Sequence, residues 1–279
     1  MSVVVTTAYL WWQQSTTGTG SLDWTNALLA LLMMVFFQAA GNLISDYFDH
    51  QHQVDAEADL NGVTWIKDGT FAPREILAFG VVLLGCAAVL GVLLLCRTSW
   101  TVAWLGVAGL VLAGFYPWFK YHAMGDYDVL CCYALLPSVG TSYVVTGTFV
   151  PFVMLLSLTY GLMTVGILHA NNTRDMERDR RAKIRTLAMQ LGFSTSRIVY
   201  VVEMVVPYLL IVVLTVTGCL SWWTLLCLIT LPQAWKLCQT MLKAQEEEQI
   251  ATLDQQTAQQ QLKFSLTLTL IFIILSLVA

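Results

Sequence analysis

Long uncharged stretches, most of them near 20 residues, alternate along the chain with short segments into which the charges are bunched. The hydrocarbon core of a bilayer is roughly 30 Å thick and takes about 20 helical residues, so each stretch predicts a membrane-crossing α-helix. The candidate spans are 3–13, 24–45, 76–96, 98–119, 129–147, 149–170, 198–216, 219–237 and 264–279, nine in all, with the first and last short. The run from Val129 to Asn172 is too long for one crossing, and Gly147 to Pro151 supplies the turn that splits it. A second run, Ile198 to Trp235, carries Glu203 as its only charge and divides near Gly218 and Ser221.

Composition narrows the class further. Of 279 residues, 57% are hydrophobic and 11% charged, against about 25% charged in soluble domains. That excludes a disordered chain, a nucleic-acid binder and an ordinary soluble enzyme, and predicts an all-α membrane protein forming one domain over residues 1–279. The seven cysteines lie in or beside apolar runs without zinc-type spacing and read as small buried hydrophobes. Met1 to Trp12 lacks a basic start and reads as a shortened first helix rather than a cleavable signal.

The charges have a side. Of the 14 Lys and Arg residues, all but Arg97 fall in the connections after spans 2, 4, 6 and 8. Short loops rich in Lys and Arg stay in the cytoplasm, so these connections are expected there. The carboxylates share that side, with Asp23 the clear exception. Glu203 lies one turn inside span 7, where facing the bundle interior, snorkelling to the interface and function are all open readings.

Two acidic clusters carry the candidate chemistry. Span 2 runs into Asn42, Asp46 and Asp49, spaced i,i+4 and i,i+3 so that a helix puts all three on one face, followed by Asp55. Span 6 runs into Asn171, Asn172, Asp175 and Asp179, again with i,i+4 spacing. A lone Asp beside a membrane is ordinarily a solvated helix end. Two matching clusters four spans apart instead suggest a duplicated four-helix unit and a diphosphate held through Mg²⁺, a cation that takes carboxylate, phosphate and water oxygens. Basic groups nearby, Lys67, Lys120, Arg174 and Arg185, are placed to neutralise charge on a departing diphosphate.

These segments resemble the UbiA-type intramembrane prenyltransferases. The stretch SDYFDHQHQVD is similar to the pattern NDYxDxxxGxD, and NNTRDMERDRRAKIRTLA is similar to NNxRDxxxDxxxGKRTLA. Further matches follow in order: KDGTFAPRE, YPWFKYHAMGD, GTSYVVTG and LDQQTA. The chain departs from the pattern at Ser45 in place of Asn, at Gln53 and Lys183 in place of Gly, and at Ile184 in place of Lys.

The resemblance implies a bundle of about nine transmembrane helices around a central cavity, with the chain beginning midway along the family's first helix. It further implies Mg²⁺-dependent transfer of a polyprenyl group from its diphosphate to an aromatic acceptor, with Asp46, Asp49, Asp175 and Asp179 as the metal-binding and catalytic carboxylates. The menaquinone-pathway branch is the most similar, in which 1,4-dihydroxy-2-naphthoate is prenylated with loss of CO₂ and diphosphate. Tyr116, Lys120 and Tyr143 are then candidates for orienting that acceptor. The expected setting is a bacterial cytoplasmic (inner) membrane with the active site toward the cytoplasm. Two alternatives stand beside this reading: a related enzyme acting on 4-hydroxybenzoate, and a secondary transporter, although transporters place their binding groups near the midplane rather than at span ends.

Overall fold

The computed structural model describes residues 1–51, 66, 69–181 and 185–279, with positions 49, 114, 116, 117, 120 and 121 described by their backbone alone. Among the described residues every regular element is helical. Lipid offers the backbone no hydrogen-bond partner, and a helix satisfies its own N–H and C=O groups within one segment. In chain order the elements are α1 (Ser2–Thr17), α2 (Trp24–Gln51), α3 (Pro73–Arg97), α4 (Thr101–Tyr121), α5 (Gly125–Leu130), a π turn (Cys131–Leu135), α6 (Leu136–Thr146), α7 (Phe152–Arg174), α8 (Met176–Arg181), α9 (Leu187–Val216), a 3₁₀ helix (Trp222–Thr230), α10 (Leu231–Lys243), a 3₁₀ turn (Glu247–Ile250) and α11 (Leu253–Val278).

Among the described residues six segments are long and apolar enough to cross a membrane: Trp24–Phe48, Pro73–Arg97, Gly125–Thr146, Phe152–Arg174, Leu187–Val216 and Glu247–Val278, with a shorter apolar helix at Thr101–Ala113. The chain is a multi-pass, all-α membrane protein. The other expected spans take different forms. Residues 3–13 fall within α1, which stops at Gly18 in the left-handed region at φ 65°. Residues 219–237 become the nine-residue 3₁₀ helix running into α10. The reason lies in small side chains repeated every third residue, at Ser221, Thr224, Cys227 and Thr230. Three residues per turn is the 3₁₀ period, so they form one stripe. Thr224 and Cys227 are fully buried there, and hydroxyl contacts of 2.8 Å join Thr224 to Thr215 and Thr230 to Tyr208.

Backbone contacts divide the described chain into two units, Asp23–Ala103 and Met1–Leu22 with Trp104–Ala279. The smaller unit is the α2–α3 hairpin. Gly80 of α3 permits its close approach, because a Cβ there would sit 2.9 Å from Ile44 Cγ1. Pro73 stands in the first turn of α3, and Glu75 Oε2 accepts the Ala72 N–H at 2.8 Å.

The larger unit is built on α7, whose Leu156, Tyr160 and Met163 are fully buried. Gly161 faces the π turn so closely that a Cβ would lie 2.5 Å from the Ala134 Cβ. The π turn precedes Pro137, which lacks the N–H that would reach the Tyr133 carbonyl in α-helical register. That carbonyl instead accepts the hydroxyl of Ser2 from α1. Buried hydroxyls stitch the remaining helices together: Tyr160 to Ser138 at 2.7 Å, Tyr200 to Thr257 at 2.7 Å, and Gln260 Nε2 donating to Tyr208 at 2.7 Å.

Candidate active site

At the end of α7 the chain changes helix without losing its spacing. Asp175 caps α7, α8 begins at Met176, and the Asp179 N–H still donates to the Asp175 carbonyl at 2.8 Å. The two carboxylates are therefore one turn apart, and both are buried, at 8% and 6% exposure.

Arg174 organises this end. Its Nε and Nη2 donate to Asp175 Oδ1 at 2.9 Å and Oδ2 at 3.0 Å, a two-point grip that lysine cannot reproduce. Nη2 also donates to Asn171 Oδ1, while Nη1 donates to Asp254 Oδ2 at 2.7 Å and to the Ala251 carbonyl at 3.2 Å. Arg178 adds a 3.0 Å bond to Asp175 Oδ2. Three of the roughly four lone-pair directions of Asp175 are thus engaged, leaving one on Oδ1. Arg174 clamps Asp175 against α11. A buried pair of carboxylate oxygens one turn apart is a donor set suited to Mg²⁺, a hard cation that takes one or two protein carboxylates.

One turn earlier on α7, Asn172 Nδ2 is 3.5 Å from Asp126 Oδ1, and Asp126 Oδ2 is 2.9 Å from His169 Nδ1. The RTLA segment has a structural task as well. The Thr186 hydroxyl caps α9 by accepting the Met189 N–H, and the Arg185 carbonyl accepts the Ala123 N–H at 3.0 Å. The Arg185 side chain is exposed.

Not every expected residue gathers here. Tyr143 stacks on Phe149, centroids 4.6 Å apart, beside the turn that starts α7. Asp175 caps the opposite end of that 23-residue helix, roughly 34 Å away. Tyr143 is thus not brought together with the acidic end. Tyr116 and Lys120 lie on α4 and are described by backbone alone. In the smaller unit, Asn42 and Asp46 are exposed on α2, with the Asp49 backbone in its last turn. Asp55 and Lys67 lie outside the described residues. A cleft of about 460 Å³ lies at the far end of the larger unit, lined by Trp12, Trp223 and Leu275 among others. It has no charged side chain and is no place for a diphosphate.

Comparison with known proteins decides the family. Residues 3–277 match the UbiA prenyltransferase family. The chain belongs to it. Among UbiA relatives, the mouse protein named UbiA prenyltransferase domain-containing protein 1 is 32% identical over 224 residues, covering 78% of this chain and 66% of the relative. The chain therefore spans just under two thirds of that relative's length. The 1,4-dihydroxy-2-naphthoate octaprenyltransferase of Haemophilus influenzae (strain ATCC 51907 / DSM 11121 / KW20 / Rd) is 29% identical over 217 residues, covering 74% and 70% of the two chains. The solved structure of a UbiA homologue from Archaeoglobus fulgidus bound to GPP and Mg²⁺ has the same fold, with TM-score 0.55 at 12% identity over 95% of this chain and 96% of that one.

Three residues of the UbiA fold's polar interior escaped sequence reading. Asp254 sits in LDQQTA, 80 residues from its partner Arg174. Asp126 closes YPWFKYHAMGD and His169 opens HANN, three residues before Asn172, a helical spacing that marks a shared face.

Proposed function

We propose that this UbiA-family chain transfers a polyprenyl group from its diphosphate to 1,4-dihydroxy-2-naphthoate, releasing CO₂ and diphosphate to give demethylmenaquinol. The observation that carries the reading is the pair of buried carboxylates, Asp175 and Asp179, held one turn apart at the end of an apolar helix. An acidic site at a membrane edge suits a substrate with a charged head and a lipid-soluble tail. The name of the Haemophilus relative and the YPWFKYHAMGD and GTSYVVTG segments favour the naphthoate acceptor.

In this reading Asp175 and Asp179 hold the metal-bound head group, and Asp46 and Asp49 serve the same purpose from α2. Mg²⁺ supplies charge neutralisation on the diphosphate when bound. Arg174 keeps Asp175 oriented, and Asp254 keeps Arg174 in place. The allylic C–O bond loosens as charge moves to the diphosphate, and an electron-rich ring carbon attacks the allyl carbon. The ring carboxylate then leaves as CO₂. The apolar helices keep water from the cation, which would otherwise be lost to hydrolysis. The charge distribution supports a cytoplasmic face for these acidic ends. A bacterial inner membrane is the setting proposed from the resemblance, while the mouse relative is eukaryotic.

A competition assay tests the acceptor. Purified protein in lipid is offered one polyprenyl diphosphate with both 1,4-dihydroxy-2-naphthoate and 4-hydroxybenzoate, and products are identified by mass. Predominant naphthoate product with CO₂ release is expected; predominant benzoate product would move the chain to a different acceptor. Turnover that persists in chelator without divalent metal would remove the metal-diphosphate site.

A further inference from the structure

The seam between α5, α7 and α9 holds three titratable side chains to which the proposed prenyl transfer assigns no role. Asp126, His169 and Glu203 are all buried, and each brings one ligand atom to within 4.8 Å of the others. His169 Nδ1 faces both carboxylates, 2.9 Å from Asp126 Oδ2 and 3.8 Å from Glu203 Oε1. The other ring nitrogen, Nε2, is 3.2 Å from the Ser196 carbonyl. A carbonyl only accepts, so Nε2 carries a proton in this bond. In the neutral ring Nδ1 is then a bare lone pair aimed at two carboxylates, an arrangement that takes either a second ring proton or a metal cation between them.

Glu203 supplies a second, independent sign. Its side chain is 9% exposed, and its Oε2 is buried with no hydrogen-bond partner. That oxygen lies against α7, 3.7 Å from where a Cβ on Gly166 would stand. A buried carboxylate oxygen without a partner is costly, and a bound cation is the partner it lacks.

We propose that Asp126, His169 and Glu203 form a buried site for a divalent transition-metal cation of the Zn²⁺ type, separate from the Mg²⁺ carboxylates. Two carboxylates and a neutral imidazole balance a double positive charge. One imidazole nitrogen and two carboxylate oxygens are each donors that zinc accepts, and three protein ligands leave the fourth tetrahedral position to a water. The Nε2–H bond to a carbonyl is the outer contact that metal-bound histidines ordinarily make. An ion here staples three helices and fixes Asp126, whose other oxygen faces Asn172 in the acidic motif. The rival occupant is a pair of protons, one on Nδ1 and one on Glu203, which also leaves the site neutral and binds no metal.

The test does not depend on prenyl transfer. Full-length protein in detergent is stripped with chelator, titrated with Zn²⁺ and dialysed; metal content and X-ray absorption of the bound ion are then measured. About one Zn²⁺ per chain is expected, in a shell of oxygens and a single imidazole without sulfur. His169→Gln and Glu203→Gln should each weaken retention at least about tenfold, whereas Asp175→Asn should keep it. If His169→Gln fails to fold, the wild-type absorption spectrum still decides. No retained Zn²⁺ in the wild type, sulfur in the shell, or retention unchanged in both variants overturns the proposal, the first in favour of the proton pair. Loss in Asp175→Asn alone would assign the ion to the acidic motif and overturn it as well.

Discussion

Arg97 Nη2 lies 3.0 Å from Asp23 Oδ2, tying the last residue of α3 to the residue that caps α2. Arg97 and Asp23 are the two charges that the sequence places on the face opposite the others, and in the structure they neutralise each other. Arg97 also donates to Asn26 Oδ1 at 2.6 Å, and Asp23 Oδ1 accepts the Asn26 N–H at 2.9 Å.

Asp23 thus does two jobs that substitutions can separate. Both side chains of the pair are about 40% exposed (43% and 40%), so the ion pair should contribute only about 0–1 kcal/mol. Asp23→Asn removes the charge but keeps a good helix cap, whereas Asp23→Ala loses both and should cost about 1 kcal/mol more. Thermal unfolding in detergent measures the difference.

The same carboxylate predicts a pH dependence. The Asn26 amide, and then Arg97, hold the Asp23 pKa below its ordinary value. A lowered folded-state pKa contributes stability above the unfolded value of about 3.9, lost as pH falls through the folded one. Unfolding followed below about pH 4 should show a small loss in wild type that is absent in Asp23→Asn. An equal loss in both would remove Asp23 as its source.

Arg174→Lys keeps the charge and loses the two-point grip on Asp175. Turnover should fall about 10–100-fold, as for other residues that orient metal ligands, with a higher Mg²⁺ concentration needed for half-maximal rate. Asp254→Asn should show the same trend more weakly. Steady-state kinetics over a Mg²⁺ series provides the measurement, and an unchanged Mg²⁺ requirement would return Arg174 to a purely structural role.

Asp175→Asn and Asp179→Asn should each lower turnover by about 10²-fold or more while the protein still elutes as a folded species. Wild-type rates in either would remove that carboxylate from the site.

Packing gives an independent test. Gly161→Ala forces a methyl onto the Ala134 Cβ and should destabilise by about 1–3 kcal/mol. Adding Ala134→Gly should recover most of the loss, visible as a restored melting temperature. Failure to recover would mean that α7 and the π turn do not meet in this register.

The acidic end of α7 was legible in sequence because i,i+4 spacing is local, and it survives even the break at Asp175. The grip of Arg174 on Asp254 was not, because it joins residues 80 positions apart and only packing of α7 against α11 creates it. Tyr143 was drawn toward the acceptor by the motif around it, yet its place at the Gly147 turn puts it at the other end of α7. His169 carried no reading of its own in the sequence, and Glu203 stood open between bundle interior, interface and function; their meaning lies in facing each other from two helices, 3.8 Å apart. The 3₁₀ helix hid from hydropathy, which records how apolar a stretch is and not the period at which its small residues recur.

That period governs how the segment tolerates changes in length. In a helix with three residues per turn, one residue inserted near Leu226 rotates everything after it by about 120°. Thr230 would swing away from Tyr208 and Gln260, and the stripe of small residues would break in the middle. Three inserted residues would restore the stripe's facing while pushing α10 along its axis by about 6 Å. Natural length variation at this point of the chain should therefore come in threes, a genetic signature that an ordinary α-helical span would not leave.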